Sequence, residues 1–169
     1  MQLDASRLLI RWMFKRDMPQ VLEIEAESFE FPWSEDDFHR CLRQRNCVGM
    51  VADGDGEILG YMIYELQKNA LHLLNFAVAP RCRRRGVGRQ MAARLIAKLA
   101  PQRRTRITLE VRETNLTAQL FFRALGFRAV SVLRGFYEDT PEDAYVMQYR
   151  YQPQPVGQST EGDRTRLAG

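Results

Sequence analysis

The sequence of 169 residues has few cysteines, and none of them belongs to a C-x-x-C pair. The three (Cys41, Cys47 and Cys82) form an odd, scattered set, which argues against a disulfide framework and against a zinc site built on thiolates. No apolar run approaches the about 18 residues that a membrane-spanning helix needs. The first residues, Met1 to Asp4, lack the basic start and apolar stretch of a secretory signal. We therefore expect a cytoplasmic protein with no bound metal and no membrane partner.

Acidic side chains are absent from one long segment. Residues 81–106 hold ten basic residues and no acid, whereas the rest of the chain has 15 basic against 21 acidic residues. The overall composition, 45% apolar and 27% charged, is ordinary for a soluble globular protein. Such a basic block is typical of proteins that bind nucleic acid or a phosphorylated cofactor, although a solvated helix face would look similar. Because the block lacks interleaved aromatic residues, specific nucleic-acid binding is not expected.

Strand and helix patterns alternate along the chain up to residue 151. The consecutive Asp-Gly pairs at 53–56 lie between apolar runs and predict a hairpin. From Gln152 onwards the composition is polar and rich in Pro, Gln and Gly, which predicts a flexible tail over 152–169 behind one domain over 1–151. The predicted order is β-α-α-β-β-β-α-β-α-β-β, an α/β or α+β domain with a mixed sheet.

The first helix has a recognisable beginning. Asp17 is a favourable N-cap residue, Pro19 fits the first turn, and Gln20 would complete a capping box. A later helix is predicted to begin at Asn115 and to end at Gly126, which suits the position after a helix C-terminus. The inner face of the first helix is assigned to Val21, Ile24, Ala26 and Phe29.

The segment Val78–Arg89 carries the strongest chemical pattern. It joins a strand to a helix N-terminus, where unpaired N–H groups and the helix dipole favour phosphate, and its glycines allow close backbone approach. A P-loop is excluded because Arg89 and Gln90 follow Gly88, and a dinucleotide fingerprint is excluded because Met91 replaces its third glycine. The glycine pattern taken alone is equally compatible with a tight turn.

Six segments in one order resemble the GNAT N-acetyltransferases, and within them the RimI type, which acetylates the N-terminal alanine of ribosomal proteins. The resemblance covers about residues 8–151 and is more specific than any one segment. The segments are Phe31–Glu35, Asn75–Val78, Arg83–Gly88, Leu109–Arg112 with Asn115, Leu125–Phe127, and Glu142–Ala144 with Met147.

This resemblance implies a GNAT fold, with a mixed, mostly antiparallel sheet of about seven strands and about four helices. It also implies acetyl-CoA as co-substrate. The strand residues would pair with pantetheine, the loop N–H groups would hold the pyrophosphate, and the Val78 N–H would polarise the acetyl carbonyl. Asn115 would contact the cofactor, act as a plain N-cap, or do both. The cofactor residues implied are Phe76, Ala77, Val78, Arg84, Arg85, Gly86, Val87, Gly88, Arg89 and Asn115.

Glu110 is our candidate for the catalytic base, since the attacking amine must lose a proton. An α-amine has a reference pKa of about 7.7–8.0, against about 10.4 for lysine, so a protein N-terminus needs less help at neutral pH. The other interpretation is that Glu110 forms an ion pair with one of the arginines. Phe31, Trp33 and Tyr137, with Phe136, are candidates for the acceptor entrance, although loop aromatics also close cores.

One position departs from the RimI pattern. The tyrosine that protonates the departing thiolate in that group corresponds to Phe122 here, seven positions after Asn115. Because a thiol has a reference pKa of about 8.5, its thiolate can leave without an acid. Three outcomes remain open: a slower enzyme, a substitute acid such as Tyr137 or water, or a CoA-binding protein with little catalysis.

The predicted activity is acetyl transfer to a protein N-terminus, with a ribosomal protein as the implied partner. Two alternatives stay open, namely acetylation of a small amine or lysine side chain, and a weakly catalytic module that binds CoA or associates with RNA. Neither histidine, His39 or His72, has a partner pattern for a metal or a nucleophilic triad, and we assign no role to either.

Overall fold

The computed structural model describes residues 7–153, which form a seven-stranded mixed sheet and four α-helices. The strand order is β1-β2-β3-β4-β5-β7-β6, and the predicted fold class is confirmed. The strands are β1 Leu8–Trp12, β2 Cys47–Gly54, β3 Glu57–Leu66, β4 Ala70–Val78, β5 Arg106–Arg112, β6 Arg128–Leu133 and β7 Ala144–Arg150; the helices are α1 Met18–Ser28, α2 Glu35–Leu42, α3 Val87–Ile96 and α4 Leu116–Ala124.

The sheet opens between its two central strands. Every neighbouring pair is antiparallel except β4 and β5, which are parallel. Their pairing joins Ala70–Leu73 to Arg106–Leu109 and ends there. At the same point β4 bulges, because Leu74 is skipped in the register with β3. Beyond Leu73 and Leu109 the two strands therefore diverge and leave a gap in the sheet.

Two of the turn predictions are confirmed by backbone geometry. In the β2–β3 hairpin Asp55 and Gly56 both have positive φ, 56° and 91°, which is the pairing that a type I′ turn needs. At the end of α4, Gly126 has a φ of 105°. Its N–H bonds to the carbonyl of Arg123, and the Phe127 N–H bonds to the carbonyl of Phe122, which is a Schellman ending.

The predicted start of α1 is correct in position but wrong in its contacts. Asp17 precedes the helix, yet its side chain does not cap α1. It accepts hydrogen bonds from Arg11 at 2.8 and 2.9 Å and from the Phe14 backbone N–H at 2.7 Å. Gln20 completes no capping box, because its Oε1 accepts from the Ile58 N–H at 2.9 Å. The inner face also differs, since Ala26 is exposed and Glu25 is buried.

The core lies against the sheet and contains no disulfide among the described residues. All three cysteines are free thiols, and Cys41 Sγ lies 3.5 Å from Cys47 Sγ. Burial and the neighbouring thiol raise the pKa of Cys41 to about 12. Apart from Gln152 and Pro153, the predicted tail lies outside the described residues. The large side chains at the centre are Phe38, Ile58, Tyr61, Met62, Ile63, Leu71, Met91, Leu95 and Ile107.

Candidate active site

Two cavities flank the gap between β4 and β5. The first, of about 340 Å³, is called here the glutamate cavity because Glu25 and Glu110 line it. The second, of about 590 Å³, is called the arginine cavity because Arg83, Arg84 and Arg89 line it. They share a boundary, so a molecule in one can reach a molecule in the other. The residues common to both are Ser28, Phe29, Phe76, Asn115, Ala118 and Phe122.

The arginine cavity lies at the N-terminus of α3. Gly86 precedes the helix with a φ of 84°, and Arg84 has a φ of 62°, so the loop turns sharply before the helix begins. The first N–H groups of the helix have no partner within it and face outward. Together with the arginines they make this end of the cavity favourable for a polyanionic group such as a pyrophosphate.

Most of the predicted cofactor residues come together in the arginine cavity. Arg85 and Val87 do not line it. The Val87 side chain is buried in the core at 5% exposure, so Val87 could contribute only its backbone groups. Asn115 begins α4, and its Oδ1 accepts from the Ala118 N–H at 3.1 Å, so the N-cap interpretation is confirmed. Those that do line the cavity are Phe76, Ala77, Val78, Arg84, Gly86, Gly88, Arg89 and Asn115.

Arg83 braces this loop, a role that the sequence analysis did not assign. Its Nε donates to the Val78 carbonyl at 3.2 Å, and its terminal nitrogen donates to Ser28 Oγ at 3.2 Å. The loop is thereby tied both to the end of β4 and to the end of α1. No signal in a single sequence distinguishes this arginine from its neighbours.

Glu110 lies on β5 just beyond the point where pairing with β4 ends, and it lines the glutamate cavity. The alternative interpretation, an ion pair between Glu110 and an arginine, is wrong. The partner is His72 on β4, whose Nε2 lies 2.6 Å from Glu110 Oε2. The hydrogen bond to Glu110 raises the pKa of His72, with a smaller contribution from Glu65. His72 thus has a partner that the sequence analysis did not find.

Arg112 contacts two of the aromatic residues that are candidates for the acceptor entrance. Its guanidinium carbon lies 3.7 Å from the ring centroid of Tyr137 and 5.3 Å from that of Phe31. Two further hydrogen bonds, at 2.8 and 2.9 Å, join it to Asp139. Phe31, Trp33 and Tyr137 line the glutamate cavity, whereas Phe136, named with them as an entrance candidate, does not. Burial raises the pKa of Tyr137.

A buried carboxylate anchors the loop that carries Trp33. Glu25, 1% exposed, accepts from the Trp33 N–H at 2.8 Å, from Asn75 Nδ2 at 2.9 Å and from the Tyr61 hydroxyl. It links the loop before α2 to the two strands β3 and β4. This role could not be predicted from the sequence, because a glutamate within an amphipathic helix ordinarily faces solvent.

Phe122 occupies the boundary between the cavities. Its ring, 6% exposed, lies 5.6, 5.0 and 5.1 Å from the rings of Phe76, Phe121 and Phe127. The site therefore presents a hydrocarbon edge at the position where the resemblance implied a tyrosine hydroxyl. Within residues 7–153 there is no group of three or more His, Cys, Asp or Glu side chains that could hold a metal. No helix in that range is long and apolar enough to cross a membrane.

Comparison with known proteins agrees with this geometry. Residues 18–127 match the acetyltransferase (GNAT) family. The chain is 31% identical over 133 residues to the [ribosomal protein bS18]-alanine N-acetyltransferase of Escherichia coli K12, covering 78% of this chain and 89% of that one. The crystal structure of the E. coli ribosomal-protein-S18-alanine N-acetyltransferase superposes with a TM-score of 0.76, 27% identity and coverage of 89% and 97%. The crystal structure of Ard1 from Thermoplasma volcanium superposes with a TM-score of 0.78 at 25% identity, and the match covers 87% of this chain and 99% of that one.

Proposed function

The chain belongs to the GNAT family of acetyltransferases, and on that premise we propose that it transfers the acetyl group of acetyl-CoA to the α-amine of a protein N-terminus. The observation that carries the proposal is the pair of cavities, one with a carboxylate and one with an arginine-rich loop at a helix N-terminus, which meet at Phe76 and Phe122 in the open sheet. The acceptor that we propose is an N-terminal alanine of a ribosomal protein, after the name of the E. coli relative. Such an acceptor would place the reaction in the cytoplasm.

Acetyl-CoA would lie along the arginine cavity in extended form. Its pyrophosphate would lie on the N–H groups of Arg84 to Arg89, where the helix dipole and the arginines favour negative charge. The pantetheine arm would run along Phe76 to Val78, the part of β4 that lacks β5 as a neighbour. There it would bond to the strand as a further strand does. The thioester would then lie at the boundary of the two cavities, within reach of the Val78 N–H.

The acceptor amine would enter through the glutamate cavity. Its lone pair attacks the thioester carbonyl carbon, the new C–N bond forms, and the amine proton is taken by Glu110 directly or through a water molecule. The C–S bond then breaks and its electron pair leaves with the CoA thiolate. No side chain needs to form a covalent intermediate. The four carboxylates around this cavity suit a cationic acceptor; they are Glu25, Glu30, Glu110 and Glu142.

The thiolate leaves without a protonated side chain at Phe122. Because a thiol has a reference pKa of about 8.5, expulsion of the thiolate at neutral pH requires little assistance. Tyr137 lines the glutamate cavity and keeps its proton, since burial raises its pKa. We therefore expect an active enzyme in which water or Tyr137 returns the proton to CoA.

The test uses two short peptides that begin with alanine. One has a free N-terminus, and the other is blocked at the N-terminus and contains lysine. After incubation with acetyl-CoA, mass spectrometry should show one added acetyl group on the free peptide alone. Modification of the lysine peptide alone would overturn the N-terminal assignment, and binding of acetyl-CoA without modification of either would overturn the activity. The Glu110→Gln variant should be slower at neutral pH, where much of the amine still holds its proton.

A further inference from the structure

Three ionisable side chains on neighbouring strands form a line that ends in the glutamate cavity. Glu65 of β3 and His72 of β4 are direct register partners, and Glu110 lies on β5 two residues beyond the partner of His72. His72 Nδ1 lies 3.6 Å from Glu65 Oε2, and Nε2 lies 2.6 Å from Glu110 Oε2. The side chains are 27%, 19% and 23% exposed, so the line is partly shielded from water.

A glutamate acting alone is a weak base for this reaction. The reference pKa of a glutamic acid, about 4.3, lies more than three units below that of an α-amine, about 7.7–8.0. A proton taken by an isolated carboxylate would therefore return readily to the amine. General bases work best when their pKa lies near the pH at which the enzyme operates. Histidine, with a reference pKa of about 6.5, is closer to that value.

The separation of 2.6 Å between His72 Nε2 and Glu110 Oε2 requires a proton between these atoms, because two lone pairs would repel each other at that distance. The arrangement fits a neutral imidazole that donates from Nε2 and equally an imidazolium that has taken up a second proton. Glu65 beside Nδ1 favours the tautomer that carries its hydrogen there, which leaves Nε2 as the acceptor toward Glu110.

Resting on the proposed function, we propose that His72 is a positioning residue that makes Glu110 an effective base, the two side chains taking up the amine proton as one unit. As the C–N bond forms, the amine N–H bond breaks and its proton passes to Glu110 Oε2, where His72 Nε2 shares it. Glu65 stabilises the imidazolium that results. Loss of this proton to water after the thiolate has left returns the pair to its unprotonated form.

The surroundings of His72 contain no competing cation within the described residues that face it. From β3 it meets Glu65 and from β5 it meets Glu110, while β7 contributes the uncharged Gln148 opposite Thr108. Glu110 in turn lies near Tyr137, which keeps its proton because burial raises its pKa. Both carboxylates raise the pKa of His72, so the unprotonated, active pair is expected only above the ordinary histidine range.

The simpler alternative is that the His72–Glu110 contact merely fastens β4 to β5 at the start of the gap. The two interpretations differ in pH dependence. A structural contact would change stability or KM, but it would not change the pH at which the base becomes active. If the pair acts as one base, removal of the imidazole should remove the step in kcat that follows the titration of His72.

The kinetic test compares His72→Gln with wild type, with kcat measured from pH 5 to 9 at saturating alanine peptide and acetyl-CoA. The matched control is His39→Gln, because His39 is a half-buried histidine on α2 that also contacts a glutamate, Glu35, at 3.3 Å. The ratio of wild-type to variant kcat cancels the titration of the peptide amine. We expect a ratio of roughly 10 to 100 at high pH that falls toward one below the pKa of the pair. The control should give a flat ratio near one.

Glu65→Gln provides a second, milder variant. It should move the decline of kcat to lower pH with only a small loss at high pH, because it removes one of the two carboxylates that raise the pKa of His72. The melting temperature and acetyl-CoA affinity of each variant are measured alongside. A His72→Gln ratio that is flat with pH, or a loss confined to KM, would overturn the proposal.

A second measurement separates this proposal from the proposed function. The imidazole of His72 is titrated by NMR in wild type and in Glu110→Gln, with no acceptor present. The pKa of His72 should be raised in wild type and should fall in the variant. An ordinary value in wild type would refute the pairing even if the enzyme is active. Failure of both peptides to be acetylated would refute the proposed function, while the titration would still test the pair.

Discussion

Replacement of Glu25 by alanine should destabilise the protein and loosen the acceptor entrance together. The carboxylate accepts hydrogen bonds from the Tyr61 hydroxyl, Asn75 Nδ2 and the Trp33 N–H. Tyr61 and Asn75 are 0% and 7% exposed, so water cannot readily replace the lost acceptor. Trp33 is only half-buried, so water can replace Glu25 as the acceptor for its backbone N–H.

The size of the effect follows from these two buried donors. Each buried donor without a partner costs roughly 1–3 kcal/mol, which gives about 4 kcal/mol for the pair. For a domain of this length, 1 kcal/mol corresponds to about 2–4 °C, so the melting temperature should fall by about 8–16 °C. Glu25→Gln keeps one carbonyl acceptor and should lose about half as much free energy of unfolding.

Urea unfolding and thermal melting of Glu25→Ala, Glu25→Gln and wild type measure this directly. Glu27→Ala is the matched control, because Glu27 lies two residues on in the same helix and is exposed. In steady-state assays the peptide KM of Glu25→Ala should rise more than the KM for acetyl-CoA, since the Trp33 loop loses its anchor. An alanine variant as stable as wild type would refute the reasoning, because burial of the charge would then offset its hydrogen bonds.

Three further predictions concern the core ion pair and the arginine cavity. The Arg11 hydrogen bond lowers the pKa of the buried Asp17, so its stabilisation should be complete above about pH 4 and be lost as the pH falls through the folded-state pKa. Asp17→Asn should cost about 2 kcal/mol in urea unfolding at pH 7 and flatten this dependence. A Cβ at Gly88 would lie 3.1 Å from the Phe121 ring, so Gly88→Ala should weaken acetyl-CoA binding at least about tenfold in calorimetry. Phe122→Tyr should raise kcat by up to about tenfold by supplying an acid.

Each of these three has a result that contradicts it. An Asp17→Asn protein with an unchanged stability profile against pH would mean that Arg11 does not hold the carboxylate as described. Unchanged acetyl-CoA affinity in Gly88→Ala would show that the cofactor does not approach this turn of α3. An unchanged kcat in Phe122→Tyr, with normal substrate affinities, would show that thiolate departure does not limit the rate.

Turn and cap chemistry predicted much of the fold. The Asp-Gly hairpin and the Gly126 helix ending depend on positive φ at named residues, which the sequence encodes locally. The family pattern then brought most of the cofactor residues to one cavity, because their spacing follows one strand, one loop and one helix start. Their roles in binding remain predictions.

The contacts that were missed are those between distant segments. His72 meets Glu110 only through the parallel register of β4 and β5, which no local pattern specifies. Asp17 bonds to Arg11 instead of capping α1, and Glu25 is buried where Ala26 was expected, because tertiary partners outweigh helix propensity. Buried polar groups of this kind are paired with each other, and the position of one member in the sequence does not predict which residue is its partner.

The short pairing of β4 with β5 has a consequence for the stability of the whole molecule. Only four register pairs join β4 to β5, the shortest strand pairing in the described sheet, and they are what joins the half-sheet β1–β4 to the half-sheet β5, β7 and β6 by strand register. The proposed binding site lies directly beyond this short pairing, and a cofactor that bonds along β4 would extend it. Acetyl-CoA at a hundredfold excess over its Kd should then stabilise the folded state by about 2.7 kcal/mol. The cofactor would serve the fold as a strand that the chain itself does not supply.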